Sequence, residues 1–349
     1  MKILVLEGDG IGSEIIKPVY TSLDILNTKF NLKLKLDAEE IGLSRLAKSS
    51  STMPENFLDK VKLYDGIILG PLSTLEYPKY GDRAINVSSF LRKELDLYAN
   101  IRPSLSFENI SKVKNMDLVI VRENTEGFFA DRNMHLGSGD MMVTEDVAIS
   151  IRKITTEACR KVLKVGFELA NQRRKKVAVI HKCNTLKYSD GLFLKVARDI
   201  SQLYPHIELT NMLIDATAAR LITHPESFDI LVTTNLFGDI LSDEAAALSG
   251  SLGIAGSLNL GNNYALAQAV HGSAPDIAGK NQANPIGILT STAMLLQWYG
   301  QKSELQNFML AHQFLIDSIK KILHNPKTRT ADLGGSFSTT DFTNHICSW

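Results

Sequence analysis

The chain has few cysteines, no long apolar run and no excess of charge of either sign. Its three cysteines, Cys159, Cys183 and Cys347, are far apart and form no Cys-x-x-Cys pair. This spacing argues against a disulfide framework or a zinc site. No apolar stretch approaches the roughly 20 residues that span a bilayer, and residues 3–6 are too short for the apolar part of a signal peptide. We therefore expect no membrane segment and a reducing, cytoplasmic location.

The balance of charge also limits the partners. Lys and Arg together number 38, and so do Asp and Glu, so the formal net charge is zero. A chain without a global basic field is not expected to bind nucleic acid, and any recognition of anions must be local. With 349 residues, 44% of them hydrophobic and 22% charged, the chain has an ordinary globular composition and is long enough for two domains.

Short apolar segments alternate with helical patterns along the chain, which predicts a layered α/β fold. The predicted strands are 3–6, 32–36, 66–69, 117–122, 176–181, 207–213 and 229–234. The predicted helices are 13–27, 150–171, 190–203, 239–249, 285–299 and 303–324. Residues 127–147 interrupt this rhythm with short apolar pieces around Gly137-Ser138-Gly139, which favours a projecting β-hairpin that contacts a second subunit. A long surface loop fits the same pattern equally well.

Residues 8–12, Gly-Asp-Gly-Ile-Gly, follow the first strand and precede a helix. A dinucleotide fingerprint would have a third glycine at Ser13 and an acidic residue at the end of the second strand. Ser13 and the absence of a well-placed acid argue against that motif. The pattern instead indicates a tight turn that lines a cleft.

Asp239 and Asp243 are four residues apart in a predicted helix that follows an apolar strand. This spacing places both carboxylates on one helix face, near the sheet edge where α/β proteins bind ligands. Paired hard oxygen donors without a neighbouring His or Cys suit Mg²⁺ or Mn²⁺. The spacing alone is explained equally well by Asp239 as a helix cap and Asp243 as a solvated acid of the first turn.

Several basic residues lie near predicted strand ends or turns. Arg92, Arg102 and Arg122 could grip a di- or tricarboxylate, because guanidinium groups bind carboxylates in bidentate pairs. Each could instead pair with a structural Asp or Glu. Lys182 follows the strand at 177–180, where a lysine with a lowered pKa can accept a proton, although a lone lysine is usually solvated.

Residues 271–279, His-Gly-Ser-Ala-Pro-Asp-Ile-Ala-Gly, form a loop of mostly small residues before an apolar helix. Small residues let a ligand approach the backbone closely. Asp276 in this loop could accept hydrogen bonds from a ribose, and its charge would repel a 2′-phosphate.

Taken together, these segments resemble the β-decarboxylating dehydrogenases, which act on isocitrate, homoisocitrate, 3-isopropylmalate and D-malate or tartrate. The matching segments follow the order of the family over nearly the whole chain: 8–12, 91–103, 122–127, 181–184, 228–243, 271–279 and 331–335. The resemblance implies an isopropylmalate-dehydrogenase-like α/β fold with two lobes, which is not a Rossmann fold. Residues 1–98 and 250–349 would form the cofactor-side lobe. Residues 99–249 would form the central lobe, which dimerises through the hairpin at 127–147.

The resemblance also implies roles for individual residues. NAD would bind to the loop around 271–279, and Asp276 matches the acid of NAD-dependent members. The implied cofactor contacts are Thr74, His271, Gly272, Ser273, Ala274, Asp276, Ile277 and Asn284. The implied substrate contacts are Arg92, Arg102, Arg122, Asn86, Ser88 and Ser89. Asp215, Asp239 and Asp243 would hold Mg²⁺ or Mn²⁺, and Lys182 would be the base. Lys182 and Asp215 would reach into the active site of the neighbouring subunit, so the resemblance implies a homodimer with shared sites.

The chain departs from the family pattern at three places, one of which is the segment 216–220 after Asp215, which lacks the usual apolar pattern with Cys or Met. Phe129 stands where the family has its proton-donating tyrosine, and phenylalanine has no proton to give. Gln268-Ala269 replaces the usual Glu-Pro before Val270-His271-Gly272. These departures keep two hypotheses open. The first is NAD- and metal-dependent oxidative decarboxylation of a 3-substituted (R)-malate. The polar residues before Arg92 favour an isocitrate-like substrate, although 3-isopropylmalate, homoisocitrate and D-malate or tartrate remain alternatives. The second is a non-catalytic, regulatory or ligand-binding paralogue.

Overall fold

The computed structural model describes residues 1–78, 84–128 and 139–346. In these residues the strands are β1 Lys2–Leu6, β2 Lys35–Ala38, β3 Gly66–Leu69, β4 Ala99–Leu105, β5 Asp117–Glu123, β6 Asp140–Thr144, β7 Val147–Ser150, β8 Lys176–His181, β9 Glu208–Leu213, β10 Ile230–Thr233, β11 Gly256–Leu260 and β12 Ala265–Ala269. The helices are α1 Gly12–Phe30, α2 Gly42–Ser49, α3 Phe57–Val61, α4 Val87–Glu94, α5 Thr156–Asn171, α6 Ser189–Ser201, α7 Ile214–Thr223, α8 Asn235–Ser249, α9 Ile286–Lys302, α10 Gln306–His324 and α11 Thr339–Ile346.

The chain divides into two compact units. Unit 1 comprises Met1–Glu94, Gly250–Leu258 and Asn263–Trp349, and unit 2 comprises Leu95–Ser249 and Asn259–Asn262. The sequence predicted a discontinuous lobe of 1–98 and 250–349 around a central lobe of 99–249. Strand β11 contributes residues to both units. No helix of the described residues is both long and apolar enough to cross a membrane.

In unit 1 the strands lie in the order β2-β1-β3-β12-β11. Strand β1 pairs in parallel with β2 and β3, and β12 pairs in parallel with β3. Residues Ile3, Leu4, Val5 and Leu6 are all fully buried. An uninterrupted apolar strand of this kind is typical of a parallel sheet that is covered on both faces.

In unit 2 the strands lie in the order β4-β5-β10-β8-β9. All neighbours from β5 to β9 are parallel, whereas β4 is antiparallel to β5 and pairs Asn100 with Arg122. The carboxyl ends of the parallel strands therefore meet at one edge, and the start of β4 reaches the same edge. An apolar cluster that includes Ile120, Ile180, Leu231 and Leu241 packs β5, β8 and β10 against α8. This packing holds the polar residues beyond the strand ends in place.

Strands β6 and β7 form a separate antiparallel pair with a register shift between Met142 and Thr144. Residues 129–138, the first part of the segment predicted as a hairpin, lie outside the described residues. The apolar side chains of the pair are exposed in the single chain, and Met142 is 63% exposed and Val143 57%.

The predicted elements agree with the structure best where a strand has an uninterrupted apolar centre. The bounds of β3 and β8 coincide with the prediction. The second strand was placed wrongly at 32–36, because it is in fact Lys35–Ala38. Helix α5 begins at Thr156 rather than at residue 150, because residues 147–150 form β7 and the Thr155 side chain caps the helix by accepting from the N–H of Ala158. Strands β4, β11 and β12 were not predicted.

Candidate active site

Arg122 lies at the end of β5 and is 3% exposed. Its Nε donates to the carbonyl oxygen of Asn235 at 2.9 Å, Nη2 donates to Oδ1 of Asn235 at 2.7 Å, and Nη1 donates to Oδ1 of Asp239 at 2.5 Å. Gly238 makes this approach possible, since a Cβ atom there would lie 2.6 Å from Cγ of Arg122. The start of α8 is thus built around one buried guanidinium group.

Arg102 reaches the same helix from β4 and is 6% exposed. Its Nη1 donates to Oγ of Ser242 at 2.7 Å and lies 3.4 Å from Oδ1 of Asp243, and Nη2 lies 3.3 Å from Oδ1 of Asp239. Nε donates to Oδ1 of Asn100 at 2.5 Å. Burial lowers the pKa of Arg102, and the two carboxylates oppose that change by favouring its charged form.

Asp239 and Asp243 lie on one face of α8, as their spacing predicts. Helix α8 begins at Asn235, four residues before the predicted start, so the interpretation of Asp239 as a helix cap is wrong. The interpretation of Asp243 as an acid of the first turn is also wrong, because α8 begins at Asn235. Its side chain is exposed, yet it pairs with Arg102, and burial raises its pKa while Arg102 opposes the rise. The Asp239 and Asp243 side chains are 42% and 55% exposed, so both can still reach a ligand.

Lys182 and Asp215 form a second pair at the same edge of the sheet. Lys182 follows β8, Asp215 lies in the first turn of α7, and Nζ donates to Oδ1 of Asp215 at 2.7 Å. This hydrogen bond lowers the pKa of the Asp215 carboxyl group. No group of three His, Cys, Asp or Glu side chains in the described part of the chain could hold a metal ion, so Asp215 does not join Asp239 and Asp243 within one subunit.

The backbone of Lys182 is anchored by residues that the sequence analysis missed. Its N–H donates to Oδ2 of the fully buried Asp190 at 2.5 Å. Arg152 donates from Nη1 to Oδ1 of Asp190 at 2.6 Å and from Nη2 to the hydroxyl of Thr234 at 3.0 Å. A lone Asp in the first turn of a helix carries no sequence signal for this role, because its partners are distant in the chain.

In unit 1 two of the predicted substrate contacts, Ser88 and Arg92 of helix α4, bond to Gln268 on β12. Oε1 of Gln268 accepts from the hydroxyl of Ser88 at 3.0 Å and from Nη2 of Arg92 at 3.3 Å. Oδ1 of Asn86 accepts from the N–H of Ser89 at 3.0 Å, which is the contact of a helix N-cap. Gln268, one of the residues that depart from the family pattern, therefore accepts hydrogen bonds from both Ser88 and Arg92.

A cavity of about 380 Å³ in unit 1 contains part of the predicted cofactor loop. Its lining includes His271, Gly272, Ala274, Ile277 and Asn284 from the predicted set. It also includes Ile11, from the turn predicted to line a cleft, and Ser251 and Asp332, which the sequence did not assign to the site. Ser273 is buried within this loop, whereas Asp276 and Thr74 are exposed, and none of the three is part of the lining. The loop Ala331-Asp332-Leu333-Gly334-Gly335 belongs to the family pattern, and this was the signal that could have identified Asp332.

The ring of His271 presents an unused acceptor within this cavity lining. Nδ1 lies 3.0 Å from the carbonyl oxygen of Gly272, and burial lowers the pKa of the imidazole. A neutral ring whose Nδ1–H donates to that carbonyl has a lone pair on Nε2. Nε2 is buried and has no partner among the described residues. A ligand in the cavity would satisfy it.

Phe129, which replaces the family's tyrosine, lies outside the described residues.

Comparisons with known proteins identify the family of the chain. The profile of the isocitrate/isopropylmalate dehydrogenase family matches residues 2–346. The chain is similar to a homoisocitrate dehydrogenase of Methanocaldococcus jannaschii, with 40% identity over 100% of this chain and 97% of the relative. It is also similar to a 3-isopropylmalate dehydrogenase of Sulfurisphaera tokodaii, with 37% identity over 99% and 97%. The crystal structure of isocitrate dehydrogenase from Methylococcus capsulatus superimposes with a TM-score of 0.87 and 34% identity over 99% of this chain and 98% of that chain. The chain therefore belongs to the isocitrate/isopropylmalate dehydrogenase family and is a decarboxylating hydroxy-acid dehydrogenase.

Proposed function

We propose that this enzyme oxidises and decarboxylates a 3-substituted (R)-malate with NAD and with Mg²⁺ or Mn²⁺. The observation that supports this most strongly is the meeting of two buried arginines with two half-exposed aspartates on α8. Guanidinium groups bind carboxylates, and paired aspartates suit a hard divalent cation. A hydroxy acid that chelates a metal ion requires both functions at one place.

The residues fit a divalent metal when a second subunit is included. Asp239 and Asp243 offer hard oxygen donors on one helix face, and Asp215 of the neighbouring subunit would complete the set. When bound, the metal would polarise the C2 oxygen and stabilise the negative charge that develops there. The exposure of Asp215 in the single chain is consistent with a role across a subunit boundary, because its side chain is 64% exposed.

The residues of unit 1 fit a dinucleotide. The cavity beside His271 could hold the adenine part, with the unpartnered Nε2 of His271 accepting a hydrogen bond from an amino group. The exposed Asp276 carboxylate favours NAD over NADP, since it could accept from ribose hydroxyls and would repel a 2′-phosphate. When bound, the nicotinamide would accept the hydride from C2 of the substrate.

The protein residues would then act in sequence. Arg92, Arg102 and Arg122 would hold the carboxylates, so that C2 and the scissile carboxylate are oriented for reaction. Lys182 of the neighbouring subunit would accept the proton of the C2 hydroxyl as the hydride leaves. The 3-carboxylate would depart as CO₂, and a proton would return to C3. Phe129 cannot supply that proton, so we assign the step to water or to another side chain.

The groups beside Arg92 support an isocitrate-like substrate. Ser88, Ser89 and Asn86 are polar, and a polar substituent at C3, as in isocitrate, suits them better than an isopropyl group. Homoisocitrate, 3-isopropylmalate and D-malate or tartrate are the alternative substrates. The names of the relatives as dehydrogenases favour catalysis over a ligand-binding paralogue.

A substrate screen tests the proposed function. Purified enzyme would be supplied with Mg²⁺ or Mn²⁺ and with NAD or NADP. Isocitrate, homoisocitrate, 3-isopropylmalate, D-malate and tartrate would be tested one at a time. We expect NADH formation with isocitrate at the highest kcat/KM and release of one CO₂ per NADH. If no acid yields reduced cofactor while isocitrate still binds tightly, the paralogue hypothesis replaces the proposed function.

A further inference from the structure

The turn at residues 8–12 contributes Ile11 to the lining of the cavity, but its other residues have no part in the function proposed so far. Its backbone is pressed against two other loops. A Cβ atom on Gly8 would lie 2.2 Å from the carbonyl oxygen of Pro71, and one on Gly10 would lie 2.1 Å from that of Ser273. Both glycines have positive φ, 75° and 57°, so side chains are excluded by conformation as well as by space. The turn therefore fits between the two loops.

Asp9, at the centre of the turn, is 6% exposed and uses its carboxylate to hold neighbouring segments. Oδ1 accepts from the N–H of Leu43 at 2.7 Å, and Oδ2 accepts from the N–H of Ser73 and from the Tyr77 hydroxyl, both at 2.9 Å. Burial, together with the Asp9 charge, raises the pKa of Tyr77, so this hydroxyl remains a donor. No ion pair of Asp9 with a basic residue occurs among the described residues, so these donors compensate the buried charge.

The same turn is bonded to the loop that carries His271. The N–H of Ile11 donates to the carbonyl oxygen of Ser273 at 2.8 Å, and the N–H of Asp9 donates to that of Pro71 at 2.7 Å. The hydroxyl of Ser73 donates to that of Ser273 at 2.8 Å, which bonds the segment after β3 directly to the loop that carries His271. Ser73, next to Thr74, and Ser273, within the loop assigned to the cofactor, are thus held together both directly and through the turn.

We infer that Asp9 is a positioning residue that sets the geometry of the cofactor-binding loops through Ser73, Tyr77 and the turn itself. This inference rests on the proposed dinucleotide site of unit 1. An aspartate is required because the donors approach both of its oxygens. Asparagine keeps the size but has one oxygen, so its amide NH₂ would face an N–H or a hydroxyl that needs an acceptor.

Two variants of the full-length enzyme test this role. For Asp9→Asn we expect the dissociation constant of NAD, followed by the fluorescence of bound NADH and by competition with NAD, to rise about 5- to 100-fold. Tyr77→Phe removes one donor and keeps the carboxylate, so we expect a smaller rise of about 3-fold. In both variants the fold increase in KM for NAD should be larger than the fold decrease in kcat, which is measured at saturating NAD. Mn²⁺ binding to unit 2, measured by calorimetry, should remain unchanged.

Asp24→Asn is the matched control, because Asp24 lies on the exposed face of α1, the helix that follows the turn. It should bind NAD as the wild type does. If Asp9→Asn binds Mn²⁺ normally and also binds NAD with wild-type affinity, the inference is wrong. If Asp9→Asn does not fold, Tyr77→Phe decides the matter, and an unaltered NAD affinity there would overturn the inference. A wild-type enzyme that binds neither NAD nor NADP would instead overturn the proposed function.

Discussion

At the scale of single residues, the candidate site contains two kinds of charged group: buried arginines that pair with aspartates, and an exposed aspartate. Arg102 and Arg122 are buried, and both contact Oδ1 of Asp239. Asp276 is exposed and has no ion pair among the described residues. The pairing of Arg102 and Arg122 with Asp239 fixes the position of these charges. The exposed Asp276 carboxylate is available for the selection between NAD and NADP that we propose.

Asp276→Lys should change the preference for the cofactor. A positive side chain would attract the 2′-phosphate of NADP and would no longer accept hydrogen bonds from the ribose of NAD. We expect the ratio of kcat/KM for NAD to that for NADP to fall at least about 10-fold, as measured by steady-state kinetics. Asp59→Lys, which makes the same change of charge on the exposed part of α3, is the control. An unchanged ratio in Asp276→Lys would remove this residue from cofactor selection.

At the scale of secondary structure, the site depends on how closely α8 approaches β5. Gly238 is the point of contact, because a Cβ atom there would lie 2.6 Å from Cγ of Arg122 and 3.2 Å from its Cα. The backbone of a buried strand cannot move away cheaply, so the helix or the arginine must shift.

Gly238→Ala should therefore destabilise the protein by about 1–3 kcal/mol and weaken substrate binding, although alanine favours helix. Denaturant unfolding and the KM for the malate substrate would measure the two effects. Gly191→Ala is a matched control in α6, because nothing lies within 4 Å of its added Cβ atom. That control should keep or gain stability, up to about 1 kcal/mol. Equal stability of the two variants would show that the approach of α8 tolerates a side chain.

A buried histidine makes the packing of α9 against α10 sensitive to pH. Nδ1 of His312 lies 2.9 Å from the carbonyl oxygen of Ala293, and burial lowers the pKa of the imidazole. The unfolded chain then binds a proton more readily than the folded one, so stability is fully present above about pH 6.5 and decreases as the pH falls below it.

His312→Asn should reduce this dependence. The free energy of unfolding, measured by urea titration at pH 8, 6.5 and 5.5, should fall less steeply with pH in the variant. The difference in slope should be at most about 1.4 kcal/mol per pH unit, which corresponds to one proton. The amide can still donate to the carbonyl of Ala293, so the two proteins should differ little at pH 8. Parallel curves would show that other groups cause the acid destabilisation.

At the scale of the whole molecule, the single chain leaves the proposed catalytic set divided. Lys182 and Asp215 contact each other, whereas Asp239 and Asp243 contact arginines of the same unit. The exposed apolar side chains of β6 and β7 offer a surface for a second copy. We therefore expect each active site to take residues from two chains.

Mixing two inactive variants tests this arrangement. Lys182→Met lacks the proposed base, and Asp243→Asn lacks a proposed metal ligand, so each alone should be nearly inactive. In a heterodimer one site would combine the intact Asp243 of one chain with the intact Lys182 of the other. After unfolding and refolding together, an equal mixture should recover about a quarter of the wild-type activity. No recovery, with heterodimers demonstrated by differently tagged chains, would place both residues in the site of a single chain.

Several features follow from the sequence by itself because they depend on local chemistry. Short apolar runs rich in Ile and Val, such as those of β3 and β8, favour buried strands, and their alternation with helical patterns predicts the α/β class. The family was evident from motifs spread over nearly the whole chain. Local chemistry also identified the residue types that could bind ligands: arginines for carboxylates, paired aspartates for a hard cation, and a loop of small residues for a dinucleotide.

The tertiary structure alone decided which of these residues meet. Strand β4 contains Asn100, Arg102 and Pro103, so it has no strong apolar pattern and is stabilised by its pairing with β5. The start of α8 at Asn235 depends on Arg122, which is 113 positions away in the chain and bonds to its first residue. The turn at residues 8–12 was predicted only as the lining of a cleft. Its bonds to Ser73 and Ser273 arise from packing between distant segments, which local sequence patterns do not encode.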